Sequence, residues 1–165
     1  MKYIKAYGLE ENEFYYFEVD AYMTAYRQVS ITDDQYIVSI APDFQLSDQE
    51  VEMFDGDEAI SIELFNEVWE KAVAPYKATW VQVKQNYLPT DSVTGTIMMF
   101  YPQGVIIRLS HDVYAVADDI EFRRHTRPEH MYPGYRVHGT VKHYDDNNFW
   151  LVLENCKVTG EKMSV

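Results

Sequence analysis

Residues Val93–Leu109 read VTGTIMMFYPQGVIIRL, and this stretch decides the fold of the second half of the chain. Val93, Gly95, Ile97 and Met99 alternate on one face, and Val105, Ile107 and Leu109 resume the pattern beyond Tyr101-Pro102. A period of two, rich in β-branched residues, marks a strand with one buried face, so the segment reads as two strands joined by a short turn. Further along, Val113–Val116 supplies a third apolar stretch after the polar Ser110-His111-Asp112. From Tyr135 to Tyr144 the alternation returns, with Val137, Gly139, Val141 and His143 on one side. Arg136, His138, Thr140, Lys142 and Tyr144 take the other. Asp145-Asp146-Asn147-Asn148 makes a turn and FWLVLENCKV a final strand. Five such strands are expected to close into a small barrel, which removes exposed edges and leaves one sheet face for a ligand.

The run from Gly95 to Leu109 has the form G-T-I-x-x-F-x-x-Q-G-V-I-I-x-L. It resembles, without a gap, the opening of S1 domains, G-x-V-x-x-I-x-x-F-G-A-F-V-x-L. Pro133-Gly134-Tyr135-Arg136-Val137, Val141 and Asp145 are similar to the family's fourth strand and the acid that ends it, and Asp118-Asp119-Ile120 sits where the family has Ser-Glu-Ile. The resemblance runs from about Val93 to Val158 and implies an OB-fold RNA-binding module. S1 domains stack nucleotides on two aromatics and a His, each stacked base being worth roughly 1–3 kcal/mol. In this register those positions hold Gln103, Ile106 and Val116, none of which has a suitable ring.

A replacement surface is therefore sought among cations and other aromatics. Phe122-Arg123-Arg124-His125-Thr126-Arg127 is a dense basic cluster in the connection before the fourth strand. Arg108, Arg136, His138 and Lys142 extend it, and Tyr101, Tyr135 and Tyr144 are the candidate stacking platforms. Phosphate-contacting cations interleaved with rings are the pattern of a nucleic-acid surface. The competing reading pairs these Arg with acids of the first half.

That first half is read as an α+β module. Phe14–Asp20 (FYYFEVD), AYMTAYRQVSI and QYIVSI make three aromatic strands, the last two separated by an Asp33-Asp34 turn. Ser61 is a helix N-cap with Glu63 in the first turn, and Leu64, Phe65, Val68, Trp69 and Ala72 recur at helical spacing until Pro75. Tyr76–Val83 reads as strand. The segment from about Glu13 to Ala74 has a diffuse similarity to small bacterial proteins, some of them immunity-like partners of toxins.

Charge divides the chain as well. Residues 1–85 carry 17 acids and 6 bases, net −11, whereas residues 86–165 carry 10 acids and 8 bases, net −2. All five His lie in the second part. The expected domains are 1–75, an acidic module, and 76–165, the barrel, packed together without a Gly/Ser linker. The whole chain of 165 residues has net charge −13, which excludes non-specific coating of DNA. Its three Trp, 14 Tyr and eight Phe exclude disorder. A single Cys156 excludes an internal disulfide and points to a reducing, cytoplasmic setting. No apolar run reaches the roughly 18 residues of a membrane span, and MKYIKAYGLEEN has no signal-peptide core.

Catalytic and metal chemistry find little support. His138 and His143 fall on opposite faces of one strand, and Cys156 has no CxxC partner, so no zinc site is expected. Asp55-Gly56-Asp57-Glu58 lacks calcium-loop spacing. Asp118, Asp119 and Glu121 lie near His111 in sequence but without a recognisable pocket. Nucleotide-binding and nucleophile motifs are absent.

The expected protein is thus an α+β chain: an N-terminal antiparallel sheet with one helix, then a five-stranded S1-like OB barrel. It is read as non-enzymatic, without cofactor or metal, and as binding RNA or single-stranded nucleic acid. The alternative is an adaptor or immunity-like inhibitor that presents its acidic module to a basic protein. An OB pocket for a small ligand is the third reading.

Overall fold

The computed structural model describes residues 1–163 and comprises two compact units, Met1–Tyr76 and the chain from Lys77 onward. Dividing the charge there sharpens the asymmetry. The first unit has 17 acids against 4 bases, net −13, and the second has 10 of each, net zero.

In the first unit, β1 (Lys2–Tyr7), β2 (Glu13–Val19), β3 (Ala25–Thr32), β4 (Gln35–Val38) and β5 (Glu58–Ile60) form one antiparallel sheet in the order β4-β3-β2-β1-β5. This adds β1 and β5 to the three strands expected. Asp33 and Asp34 both adopt positive φ, which matches the two-residue β3–β4 turn to the twist of its strands. Helix α1 (Ile62–Val73) is capped by the Ser61 side chain, which accepts from the Leu64 N–H at 3.1 Å. It packs on the sheet through Phe65, Trp69, Ala72 and Val73.

Under α1 lies an ion pair. Arg27 Nη2 sits 2.8 Å from Glu18 Oε2, and both side chains are largely buried. The Arg27 guanidinium faces the rings of Phe65 and Trp69 at 4.9 and 5.1 Å, and the Tyr3 hydroxyl donates to the same carboxylate at 3.0 Å. The opposite face of the sheet buries Ile4, Phe17, Val19 and Ala25 with Val51 of the loop before β5.

Pro75 does not end the helical segment. It lies in a 3-10 turn, Ala74–Tyr76, and α2 (Lys77–Asn86) follows directly. The strand expected at Tyr76–Val83 is therefore helix. Proline is tolerated in a first turn, where its missing N–H has no partner to lose. The burial of Trp80, Val83 and Tyr87 follows a helical spacing of three and four residues rather than alternation.

The second unit is a closed barrel of β6 (Ser92–Tyr101), β7 (Gly104–Ser110), β8 (Val113–Ala117), β9 (Tyr135–Asp145) and β10 (Trp150–Lys162). Around the barrel the order is β6-β7-β8-β10-β9 and back to β6. All pairs are antiparallel except β8 with β10. A short helix, α3 (Asp119–Arg124), lies between β8 and β9. This mixed five-stranded topology is compatible with an OB-like fold. Val93, Ile97, Val105, Ile107, Val137 and Leu151 fill the interior, as the alternation requires, and Trp80 and Val83 of α2 with Phe122 of α3 join the same core.

Two glycines meet close approaches. A Cβ at Gly95 would collide with the Arg108 carbonyl oxygen and stand 2.9 Å from Ile107 Cγ2. Gly104 has φ +145° against the Ala117 backbone. No helix among the described residues is long and apolar enough to cross a membrane.

Candidate nucleic-acid interface

The register of the barrel brings two of the sequence candidates together. Thr96 of β6 is opposite Arg108 on β7 and opposite Arg136 on β9. The two arginines thus flank one threonine on the outer face, their strands about 10 Å apart. They belong to a groove of about 460 Å³ that also takes in Thr94, Ser110 and His111. Inward neighbours such as Ile107 and Val137 are buried, so the pleat itself turns Arg108 and Arg136 outward. Thr94 Oγ1 and His138 Nδ1 are 2.7 Å apart, which ties the β6 and β9 edges of this face. Arg108 is exposed and makes no ion pair among the described residues, whereas Arg136 Nη1 holds Glu161 Oε2 at 2.8 Å.

The arginines of the basic cluster are exposed but paired locally. Arg123 Nε lies 2.9 and 3.0 Å from the two carboxylate oxygens of Asp119, and Arg124 Nη1 lies 2.8 Å from Glu121. Both acids belong to α3 itself, at helical i,i+4 and i,i+3 spacing. Arg127 is exposed beyond the helix, where it leads into a 3-10 turn, Pro128–His130. Lys142 lines a different cavity of about 430 Å³ with Asp118, Glu121, His125, Glu154 and Cys156, a lining of mixed sign. Burial pushes the Cys156 thiol up to about 11.

The three tyrosines are engaged within the fold. Tyr101 meets Trp150 edge to face at 6.4 Å, and burial raises its hydroxyl pKa. Tyr144 donates its hydroxyl to the Tyr87 carbonyl at 2.7 Å, with the Lys84 carbonyl at 3.2 Å, and meets Trp80 edge to face. Tyr135 packs against the core and lies 5.1 Å from the His130 ring. Ile106 and Val116 are buried. Asp146 serves a structural contact with α2: its Oδ1 accepts from Trp80 Nε1 at 2.9 Å and from Lys84 at 2.8 Å, and these bonds hold its carboxyl below the ordinary range.

The sequence does not mark Thr94, Thr96, Ser110 or Glu161 as site residues, and it sets His111 only beside the Asp118, Asp119 and Glu121 carboxylates. Alternation alone places Thr94 and Thr96 outward, but only the pairing across three strands shows that they share a groove with Arg108 and Arg136.

In the first unit Asp57 fixes a different surface. Its Oδ1 accepts from the Tyr7 N–H at 3.2 Å and its Oδ2 from the Phe54 N–H at 2.9 Å. Tyr7 and Phe54 stay 46% and 68% exposed beside Asp55 and Glu58. Among the described residues no three His, Cys, Asp or Glu side chains converge as metal ligands.

No protein-family model matches the chain, and no curated protein matches it.

Proposed function

We propose that the chain is a non-enzymatic binding protein whose S1-like barrel contacts the phosphodiester backbone of single-stranded RNA. The observation that carries this reading is the outward pair Arg108 and Arg136, set across Thr96 in a hydroxyl-lined groove. Arginine presents a rigid fork of donors that suits phosphate oxygens, and threonine and serine hydroxyls add weaker contacts. Such contacts position a strand without reading its bases, and Gln103, Ile106 and Val116, at the S1 stacking positions, offer no ring to stack one. Binding is therefore indifferent to sequence and weakens as salt rises, with the shallow slope of two phosphate contacts. The −13 of the first unit opposes RNA at long range and keeps affinity modest.

The test is fluorescence anisotropy of a labelled mixed-sequence single-stranded RNA at low and moderate salt. Wild type binds with salt-sensitive affinity, and Arg108→Ala weakens it about tenfold, the scale of one charge-assisted contact. Absence of binding at low salt overturns the reading.

A second reading rests on the Tyr7–Phe54 surface. Two exposed aromatic residues whose backbone N–H groups share the Asp57 carboxylate, set among further acids, suit a basic protein with apolar side chains at its contact. Capture of a basic partner that Tyr7→Ala/Phe54→Ala abolishes, with RNA binding absent, would favour it.

A further inference from the structure

We infer that Glu161 is a built-in competitor for the groove, a carboxylate that occupies Arg136 until a phosphate oxyanion displaces it. The inference rests on the RNA-backbone reading and adds the regulation of the same site. Glu161 Oε2 lies 2.8 Å from Arg136 Nη1, with the Glu161 side chain 63% exposed and that of Arg136 35% exposed. A carboxylate and a phosphodiester offer the same feature to a guanidinium, a pair of anionic oxygens at hydrogen-bond distance. The partner that Arg136 already holds therefore displays the chemistry that the groove accepts.

Glu161 stands at the end of β10, where the pairing with β9 shifts between Val158 and Lys162. Gly160, at φ +83°, turns the chain there, and the Glu161 N–H donates to Thr159 Oγ1 at 3.2 Å. The Met163 N–H donates to the Gly134 carbonyl at 2.8 Å, which secures the backbone just beyond. Met163 Sδ also lies 3.2 Å from Arg136 Nη2, so the arginine keeps a packing partner when the carboxylate leaves. Displacement then requires only a rotation of the exposed Glu161 side chain. No comparable acid holds Arg108 among the described residues, so Arg108 makes first contact and Arg136 follows as Glu161 yields.

The competitor is weak by construction. An exposed ion pair contributes little, so its removal is expected to tighten RNA binding by about two- to fivefold. The experiment compares wild type, Glu161→Gln and the charge-matched Glu154→Gln, which also lies on β10 but away from the groove. Each is titrated with the labelled single-stranded RNA and, separately, with inorganic phosphate while the Arg136 Nε–H signal is followed by NMR. Tighter binding by Glu161→Gln than by Glu154→Gln, with the Arg136 signal moving at lower phosphate, is the expected result. Equal gains for the two variants would reduce Glu161 to one more acid in the long-range field. Weaker binding by Glu161→Gln would make it an orienting partner of Arg136, and either result overturns the inference. If none of the proteins binds RNA, the backbone reading fails, and the phosphate titration alone decides: an Arg136 response unchanged by Glu161→Gln overturns the competitor, and a stronger response upholds it.

Discussion

Asp119 grips Arg123 from one helical turn earlier, with both carboxylate oxygens within 3.0 Å of the guanidinium Nε. Arg124 is held through Nη1 by one oxygen of Glu121, three residues earlier. Two of the three arginines of the most basic hexamer are thus neutralised by its own helix, and the cations that face a groove with fewer acids lie elsewhere. The triple variant Arg123→Ala/Arg124→Ala/Arg127→Ala is expected to change RNA affinity by less than about threefold in the anisotropy assay. A tenfold loss would return the contact to the loop.

The ion pair beneath α1 makes the first unit sensitive to loss of either partner alone. Glu18→Ala leaves the Arg27 charge buried against Phe65 and Trp69 without its carboxylate. The expected cost is about 3–5 kcal/mol in urea unfolding. Glu18→Leu/Arg27→Met removes both charges and is expected to recover most of that loss. Equal destabilisation by the single and double variants would show that packing, not the unpaired charge, sets the cost.

Asp146 gives the second unit an acid-sensitive joint. Its folded pKa is depressed by hydrogen bonds from Lys84 and Trp80. The stabilisation is therefore fully present above the unfolded value of about 3.9 and is lost as pH falls through the folded value. Because its side chain is 68% exposed, Asp146→Ala is expected to cost less than about 1 kcal/mol at neutral pH and to flatten the acid limb of a pH–stability profile followed by Trp fluorescence. An acid limb identical to wild type would contradict this role.

Cys156 should be a slow thiol. It is buried, with its pKa pushed up to about 11, so little thiolate exists near neutral pH. A chromogenic disulfide reagent is expected to label the native protein far more slowly than the urea-unfolded chain. Equal rates would mean that the thiol is reached without unfolding.

Much of the barrel is legible in the sequence because burial there follows a period of two. Val93, Ile97, Val105, Ile107 and Val137 announce an interior face before any pairing is known. The helix at Lys77–Asn86 is not, because TWVQV is β-branched and aromatic at the local level. Only the packing of Trp80 and Val83 into the barrel selects helix. β5 has only three residues and gains its meaning from β1, through Tyr3 opposite Ile60 and Lys5 opposite Glu58.

The candidate site divides along the same line. Arg108 and Arg136 are visible as outward cations, but their meeting across Thr96 depends on register between strands some 40 residues apart, which composition does not encode. The tyrosines mislead for a related reason. Residue type shows that Tyr101 and Tyr144 can stack, and only the fold shows that Trp150 and Trp80 already meet their rings.

The most direct measurement is an NMR titration of the 165-residue chain with the single-stranded RNA, following every backbone amide. Binding at the groove predicts shifts concentrated at residues 94–96, 108–111 and 134–136, saturating together and disappearing at higher salt. Shifts centred on Tyr7 and Phe54 or on α3, or no shifts at low salt, would contradict it.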